Sequence, residues 1–235
     1  MTPVRLTGLA VALLLGVTPL AAQVGHAPGD SPFRDIHPGT TWELFAGTIG
    51  GSGGPLRVGP RDGPLAGFRV VLRAKNTISL GFGLWGGLAE RTVVDPDAKL
   101  SERFGPSVDQ NLYGAEATVQ INLTGGKTWK RLAPFTGVSI GVVKSGEIDD
   151  DAGYEFGTKF YFAPMVGTRV FLDRRLYLRA EARGFAWNLD YPISYSLEPS
   201  EEPGTPENPN ALNPTGRDGQ YVLAPALIVG VGIAF

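Results

Sequence analysis

The chain has 235 residues, a formal charge of −2 and a mean hydropathy of +0.00, so no basic excess points to nucleic acid. Cysteine is absent, which excludes disulfides, thiolate metal sites, cysteine nucleophiles and a lipidated cysteine. The 33 glycines follow no period of three, which excludes a collagen-like fibre and favours a turn-rich or crowded β-protein.

After Arg5 an apolar run, Leu6 to Val17, leads into Pro19-Leu20-Ala21-Ala22. This pattern reads as a secretory signal peptide over residues 1–22, cleaved before Gln23. A membrane-spanning helix needs about 20 apolar residues, whereas this run is shorter and is interrupted by Gly8, Gly16 and Pro19. Residues 23–40 are polar and rich in Gly and Pro, read as a flexible lead-in, and hold both histidines, His26 and His37.

From there to the end, eight segments alternate with period two: 41–49, 65–74, 78–91, 108–123, 132–144, 154–172, 176–189 and 219–235. Long connections follow the odd segments, at 50–64, 92–107, 145–153 and 190–218. Short ones follow the even segments, around Lys75-Asn76, Gly125-Gly126-Lys127 and Asp173-Arg174-Arg175. In an up-and-down barrel this alternation gathers the long loops on one rim and the short turns on the other.

Alternate side chains of a strand face opposite sides. In the seventh segment Leu176, Leu178, Ala180 and Ala182 occupy one phase, against Tyr177, Arg179, Glu181, Arg183, Phe185 and Trp187. The fourth sets Tyr113, Ala115, Ala117, Val119 and Ile121 against Gly114, Glu116, Thr118, Gln120 and Asn122. The last places Leu223, Leu227, Val229, Val231 and Ile233 on one side, with Gly230, Gly232 and alanines on the other.

A soluble barrel would turn the bulky apolar phase inward, but eight strands enclose only enough room for side chains. The uncharged phase matches the roughly 9–11 residues of a membrane strand, so it belongs outside, against lipid. Slipping the seventh segment by one residue would expose Arg179 and Arg183 to acyl chains, at about 2–4 kcal/mol each. The expected fold is all-β, an eight-stranded antiparallel up-and-down transmembrane β-barrel over residues 41–235.

With this layout the chain resembles the small outer-membrane barrels of the OmpA and OmpX kind. The ending Leu227-Ile-Val-Gly-Val-Gly-Ile-Ala-Phe235 carries most of the resemblance, and Trp42-Glu-Leu-Phe-Ala-Gly47 is similar to the family's first strand. The resemblance implies the outer membrane of a Gram-negative-type bacterium, with Phe235 as the signal read by the barrel-assembly machinery. The family's separate peptidoglycan-binding domain has no counterpart here, so no cell-wall anchoring is implied.

The inward phase carries Glu43, Arg69, Arg73, Glu116, Glu155, Lys159, Arg169, Arg179, Glu181 and Arg183. Their mixed signs suit a bonded network that plugs the lumen, with Glu43 meeting Arg73 near the short-turn rim. A narrow ion path is the alternative, disfavoured by the small bore. Trp85 and Trp187 fall in the inward phase, whereas Trp42, Tyr113, Tyr154, Phe156, Tyr221 and Phe235 suit interfacial girdles.

Gly81-Phe-Gly-Leu-Trp-Gly86 matches a dinucleotide fingerprint, but the pattern continues as strand and offers no helix N-terminus to a pyrophosphate. Gly81 and Gly83 instead read as inward positions that make room. The run Gly50-Gly-Ser-Gly-Gly54 lacks the lysine of a phosphate loop and reads as flexible.

Glu147, Asp149, Asp150, Asp151 and Glu155 read as a solvated acidic loop without the spacing of a calcium loop. The loop at 190–218, with six prolines and Glu198, Glu201, Glu202 and Glu207, reads as extended and mobile. An extracellular partner is expected there or at 145–153. Both histidines precede the first segment, so no histidine-based catalytic site, cofactor or metal is expected on the barrel. Two other readings remain: a low-conductance channel or transporter for small solutes, and a soluble periplasmic ligand-binding barrel.

Overall fold

A computed structural model describes residues 31–36, 39–51, 53–147 and 154–235. The signal-peptide reading, His26, His37, Ser52 and Asp149 to Asp151 lie outside the described residues.

Among the described residues ten strands occur in order: β1 (Phe33–Asp35), β2 (Thr40–Ile49), β3 (Gly63–Arg73), β4 (Ile78–Val94), β5 (Phe104–Asn122), β6 (Lys127–Trp129), β7 (Leu132–Ser145), β8 (Thr158–Phe171), β9 (Leu176–Asp190) and β10 (Gly219–Ala234). Eight of them pair antiparallel around a closed ring, β2-β3-β4-β5-β7-β8-β9-β10, and β10 returns to β2. Closure leaves no free edge in this wall, which a hydrocarbon surround requires because it cannot satisfy open backbone donors and acceptors. The Phe235 amide donates to the Thr40 carbonyl at 2.9 Å, so both ends of the ring meet on the short-turn rim.

The strand limits follow the period-two pattern closely, with three differences, the first being that β4 and β5 run into the connection expected at 92–107, to Val94 and from Phe104. Part of the lead-in is ordered: β1 pairs antiparallel with β6, which forms a two-residue hairpin with β7 through Lys130 and Arg131. The sixth segment begins later than its alternation suggests, because Gly157 takes a φ of 64° that ends the strand there.

Orientation is unambiguous. Leu178, Val229 and Ile233 stand 47%, 64% and 43% exposed on the outer wall, while Arg179 and Glu181 are 3% and 4% exposed within. An apolar outer wall around an ionised interior is the reverse of a soluble barrel, and it overturns the soluble ligand-binding alternative.

Glycines explain how eight strands hold bulky contents. Phe45 faces Gly67, Trp85 faces Gly114, Tyr161 faces Gly141, Phe135 faces Gly167 and Tyr177 faces Gly232, each as a direct cross-strand pair. In every pair a Cβ on the glycine would fall between 2.1 and 2.7 Å from the ring, so each ring lies over a position that must lack a side chain. Gly81 and Gly83 face inward as their phase predicts and leave room less strictly, a Cβ there standing 3.3 Å from Arg69 and 3.4 Å from Glu116.

Candidate functional site

The lumen is layered. At the short-turn end Phe171 and Tyr177 pack together at 5.1 Å between ring centroids, beside buried Ala133 and under Ile36. Above them lie Glu43, Glu116 and Glu181 with Arg69, Arg179 and Arg183, all six buried. Higher still, Trp85, Tyr161, Phe185 and Trp187 make an aromatic layer with centroid spacings of 5.3 to 6.2 Å.

Register brings these charges together. Glu43 lies opposite Arg69 across β2 and β3, while Arg179, Glu181 and Arg183 follow one another on the inward phase of β9. Arg69 reaches Glu116 at 3.1 Å, Glu43 at 3.3 Å and Glu181 at 3.4 Å. Arg179 donates through Nε to Glu181 at 2.8 Å and through Nη1 to Gln120 at 2.9 Å and Glu43 at 3.3 Å. Arg183 donates to Glu181 and, at 2.7 Å, to Glu116. Three carboxylates thus balance three guanidiniums, and each carboxylate engages more than one of them.

Aromatic groups close the shell. Tyr161 donates to Glu116 at 3.0 Å and accepts from Trp85 Nε1 at 2.9 Å, while Tyr177 donates to Glu43. Arg69 lies over Phe45, Arg179 over Phe135 and Arg183 over Phe185, with 4.0 to 5.5 Å to the ring centroids. Such faces favour cations out of water and leave the guanidinium edges free to bond. Charge alone did not reveal Tyr161, Tyr177 and Gln120 as members; their inward phase was the available signal.

Four of the ten expected charges stand apart from this cluster. Arg73, expected against Glu43, lies farther toward the rim and donates to the Ile36 carbonyl at 2.9 Å; Arg69 directly opposes Glu43 and takes that place. Arg169 is buried but donates to Asn122 and lies over Phe135 and Tyr177 at 5.8 and 5.7 Å. Lys159 sits at the long-loop rim and pairs with Asp190. Glu155 is exposed outside the strand, because β8 starts only after Gly157.

The long-loop mouth is capped. Tyr154 and Phe156, expected in a girdle, instead turn inward: Tyr154 stacks on Tyr195 at 6.3 Å, and Phe156 meets Trp187 edge-on at 5.6 Å. The loop between β9 and β10 is not extended as its composition suggests. It contains a 3₁₀ turn at Ile193–Ser196 whose Tyr195 is fully buried, and Glu198 accepts from the Gly204 and Asn210 amides at 2.8 and 3.0 Å. The neighbouring β4–β5 loop ties into it: Arg103 donates to the Asn210 carbonyl, and the Leu100 amide to Glu202 at 3.0 Å. Trp42, Tyr113, Tyr221 and Phe235 are exposed on the outer wall, as a girdle requires. Among the described residues no cluster of metal-ligating side chains occurs.

No protein-family model matches the chain, and no curated protein matches it. Solved structures do resemble it. OprG, an outer membrane protein of Pseudomonas aeruginosa, is 12% identical with a TM-score of 0.50, covering 88% of this chain and 99% of its own. Neisserial surface protein A (NspA) is 13% identical with a TM-score of 0.47, covering 87% and 98%. The N-terminal β-barrel domain of Pseudomonas aeruginosa OprF is 11% identical with a TM-score of 0.42, covering 83% and 98%. At these identities the likeness, carried by OprG, is one of fold: that of an outer-membrane β-barrel.

Proposed function

We propose that this protein is a non-catalytic barrel of the outer membrane, closed along its lumen, which meets a surface partner through its long loops on the exterior. The observation that carries this reading is the buried cluster of three carboxylates and three guanidiniums, wedged between aromatic layers where a conducting barrel would hold water. The apolar outer wall supports the placement in lipid, and the long loops suit the exterior rim of such barrels. Ile193 and Leu197, both strongly exposed on the 3₁₀ turn and its cap, offer apolar contact area to a partner there.

Planar-bilayer recording of refolded protein tests the closure. The expected trace is silent; reproducible single-channel steps abolished by altering Arg179 or Arg183 would overturn the plug in favour of a low-conductance channel. Cell fractionation tests the location: the protein should stay with the outer membrane until detergent is added. Export and assembly follow from the same reading. The mature chain should begin at Gln23, and Phe235→Ala should lower the yield of assembled barrel if Phe235 is the assembly signal.

A further inference from the structure

The outer wall is not uniform. At the short-turn end of the β10–β2 seam, Trp42, Leu44, Phe68, Leu176, Val231 and Ile233 line an apolar groove of about 940 Å³. Grooves of about 650, 510 and 440 Å³ lie elsewhere on the same wall, so what sets this one apart is the charge at its mouth. The turn between β8 and β9 forms its lip. Arg174 and Arg175 immediately precede Leu176, both are exposed, and the Arg175 carbonyl accepts from the Ala234 amide at 2.8 Å, which fixes the turn beside the seam.

Charge on this rim is mostly basic, with Arg34 and Asp35 of β1 offsetting one another. The short turns expose Lys75, Lys127, Lys130, Arg131, Arg174 and Arg175 against Asp173 alone. Short turns face the periplasm in outer-membrane barrels, so the groove opens into the periplasmic leaflet with two arginines at headgroup depth. Trp42, in the groove wall, is an indole at the same depth, where amphipathic rings settle.

We infer that this groove is a binding site for an anionic glycerophospholipid, its acyl chains against the seam and its phosphate held by Arg174 and Arg175. The inference rests on the reading that the outer wall faces lipid. An apolar groove alone would accept any lipid; the arginine pair at its mouth selects the charged headgroup. Asp173, whose carboxylate accepts from the Arg174 amide at 2.6 Å, is the acid that opposes this and sets a limit on the preference.

The protein carries its own reporter. Of its four tryptophans, Trp85 and Trp187 are buried in the lumen, so Trp129→Phe leaves Trp42 as the one exposed indole. This variant is reconstituted in phosphatidylcholine vesicles doped with either phosphatidylglycerol or phosphatidylcholine brominated on the acyl chains, and quenching is compared. One engaged arginine predicts a preference of about fivefold for the brominated phosphatidylglycerol, the attraction of a basic residue at an anionic surface. Arg174→Gln with Arg175→Gln should bring the ratio to parity. Lys127→Gln with Lys130→Gln, on the turn that lies across the ring from the β10–β2 seam, should leave it unchanged.

Strong quenching at parity in the parent protein would overturn the site and leave the membrane reading intact. Equal loss in both sets of variants would also overturn it, by showing a diffuse charge effect. Protection of Trp42 from both lipids with crosslinked dimers would assign the groove to a second copy. Absence of quenching in a monomer would sink the lipid-facing wall itself.

Discussion

Glu181→Gln is the sharpest probe of the lumen. Glu181 accepts from Arg179 Nε at 2.8 Å, from Arg183 Nε at 2.5 Å and, more weakly, from Arg69 at 3.4 Å. Glutamine keeps the shape but holds one acceptor oxygen, turns an amide N–H toward guanidinium donors, and leaves three arginines against Glu43 and Glu116. The arginines keep other partners: Arg183 holds Glu116 at 2.7 Å, and Arg179 holds Gln120 at 2.9 Å. The loss is therefore that of one broken buried pair, about 3–5 kcal/mol, and not the sum of every contact. Urea titration of the barrel in lipid vesicles, read by heat-dependent gel mobility, measures it. Adding Arg179→Met restores neutrality and should recover at least about 1 kcal/mol, because the two positions share partners and do not act additively. A cost of Glu181→Gln under about 0.5 kcal/mol would mean that water already solvates the carboxylate, which refutes the closed lumen.

Three further outcomes follow from particular contacts. Gly114→Ala places a Cβ 2.1 Å from the Trp85 ring, so the indole must leave Tyr161; overpacking of about 1–3 kcal/mol and an altered tryptophan emission are expected, and unchanged emission would contradict the ring-on-glycine packing. Arg131→Gly, at a φ of 71° in the β6–β7 turn, should stabilise the barrel by about 1 kcal/mol in the same titration, since both central positions of this turn need positive φ. Glu198 is held below the usual carboxylate value, by the Gly204 amide foremost and then by the Asn210 and Ala211 amides and the charge of Arg103. A lowered folded value stabilises the loop above the ordinary carboxylate range and loses that support as pH falls through the folded value, so the protection of the Gly204 and Asn210 amides, relative to their intrinsic exchange at each pH, should fall in acid and in Glu198→Ala.

What could be read from the residues was whatever depends on strand period. Alternation is local, so Leu178 outside and Arg179 inside were legible, as was the room that Gly81 and Gly83 leave. Pairing inside the lumen was not, because it depends on register and depth across strands distant in sequence. Arg69 and Arg73 share a phase, and only the β2–β3 register decides that Arg69 meets Glu43. The loops were the least legible. Alternation runs through Tyr154 and Phe156 as though the strand began there, yet Gly157 breaks it and sends both rings inward. In the loop after β9, backbone amides captured by Glu198 and Glu202 impose order that acidic, proline-rich composition does not signal.

The cluster and the glycine-backed rings are two halves of one solution to a small bore. Eight strands cannot accommodate a hydrated channel and bulky side chains together, and this chain commits to side chains: every lumen layer is backed by a ring laid over glycine. That packing removes water, which makes each unpaired charge expensive: three guanidiniums meet three carboxylates, and the buried Arg169 is met by Asn122 and the faces of Phe135 and Tyr177. A ligand passage would need one layer to move, and the layers interlock through Tyr161, which joins Trp85 to Glu116, and through Tyr177, which joins Phe171 to Glu43. Displacing either tyrosine therefore disturbs both the aromatic and the ionic layers, and this coupling is why variation in activity is to be sought in the loops and on the outer wall.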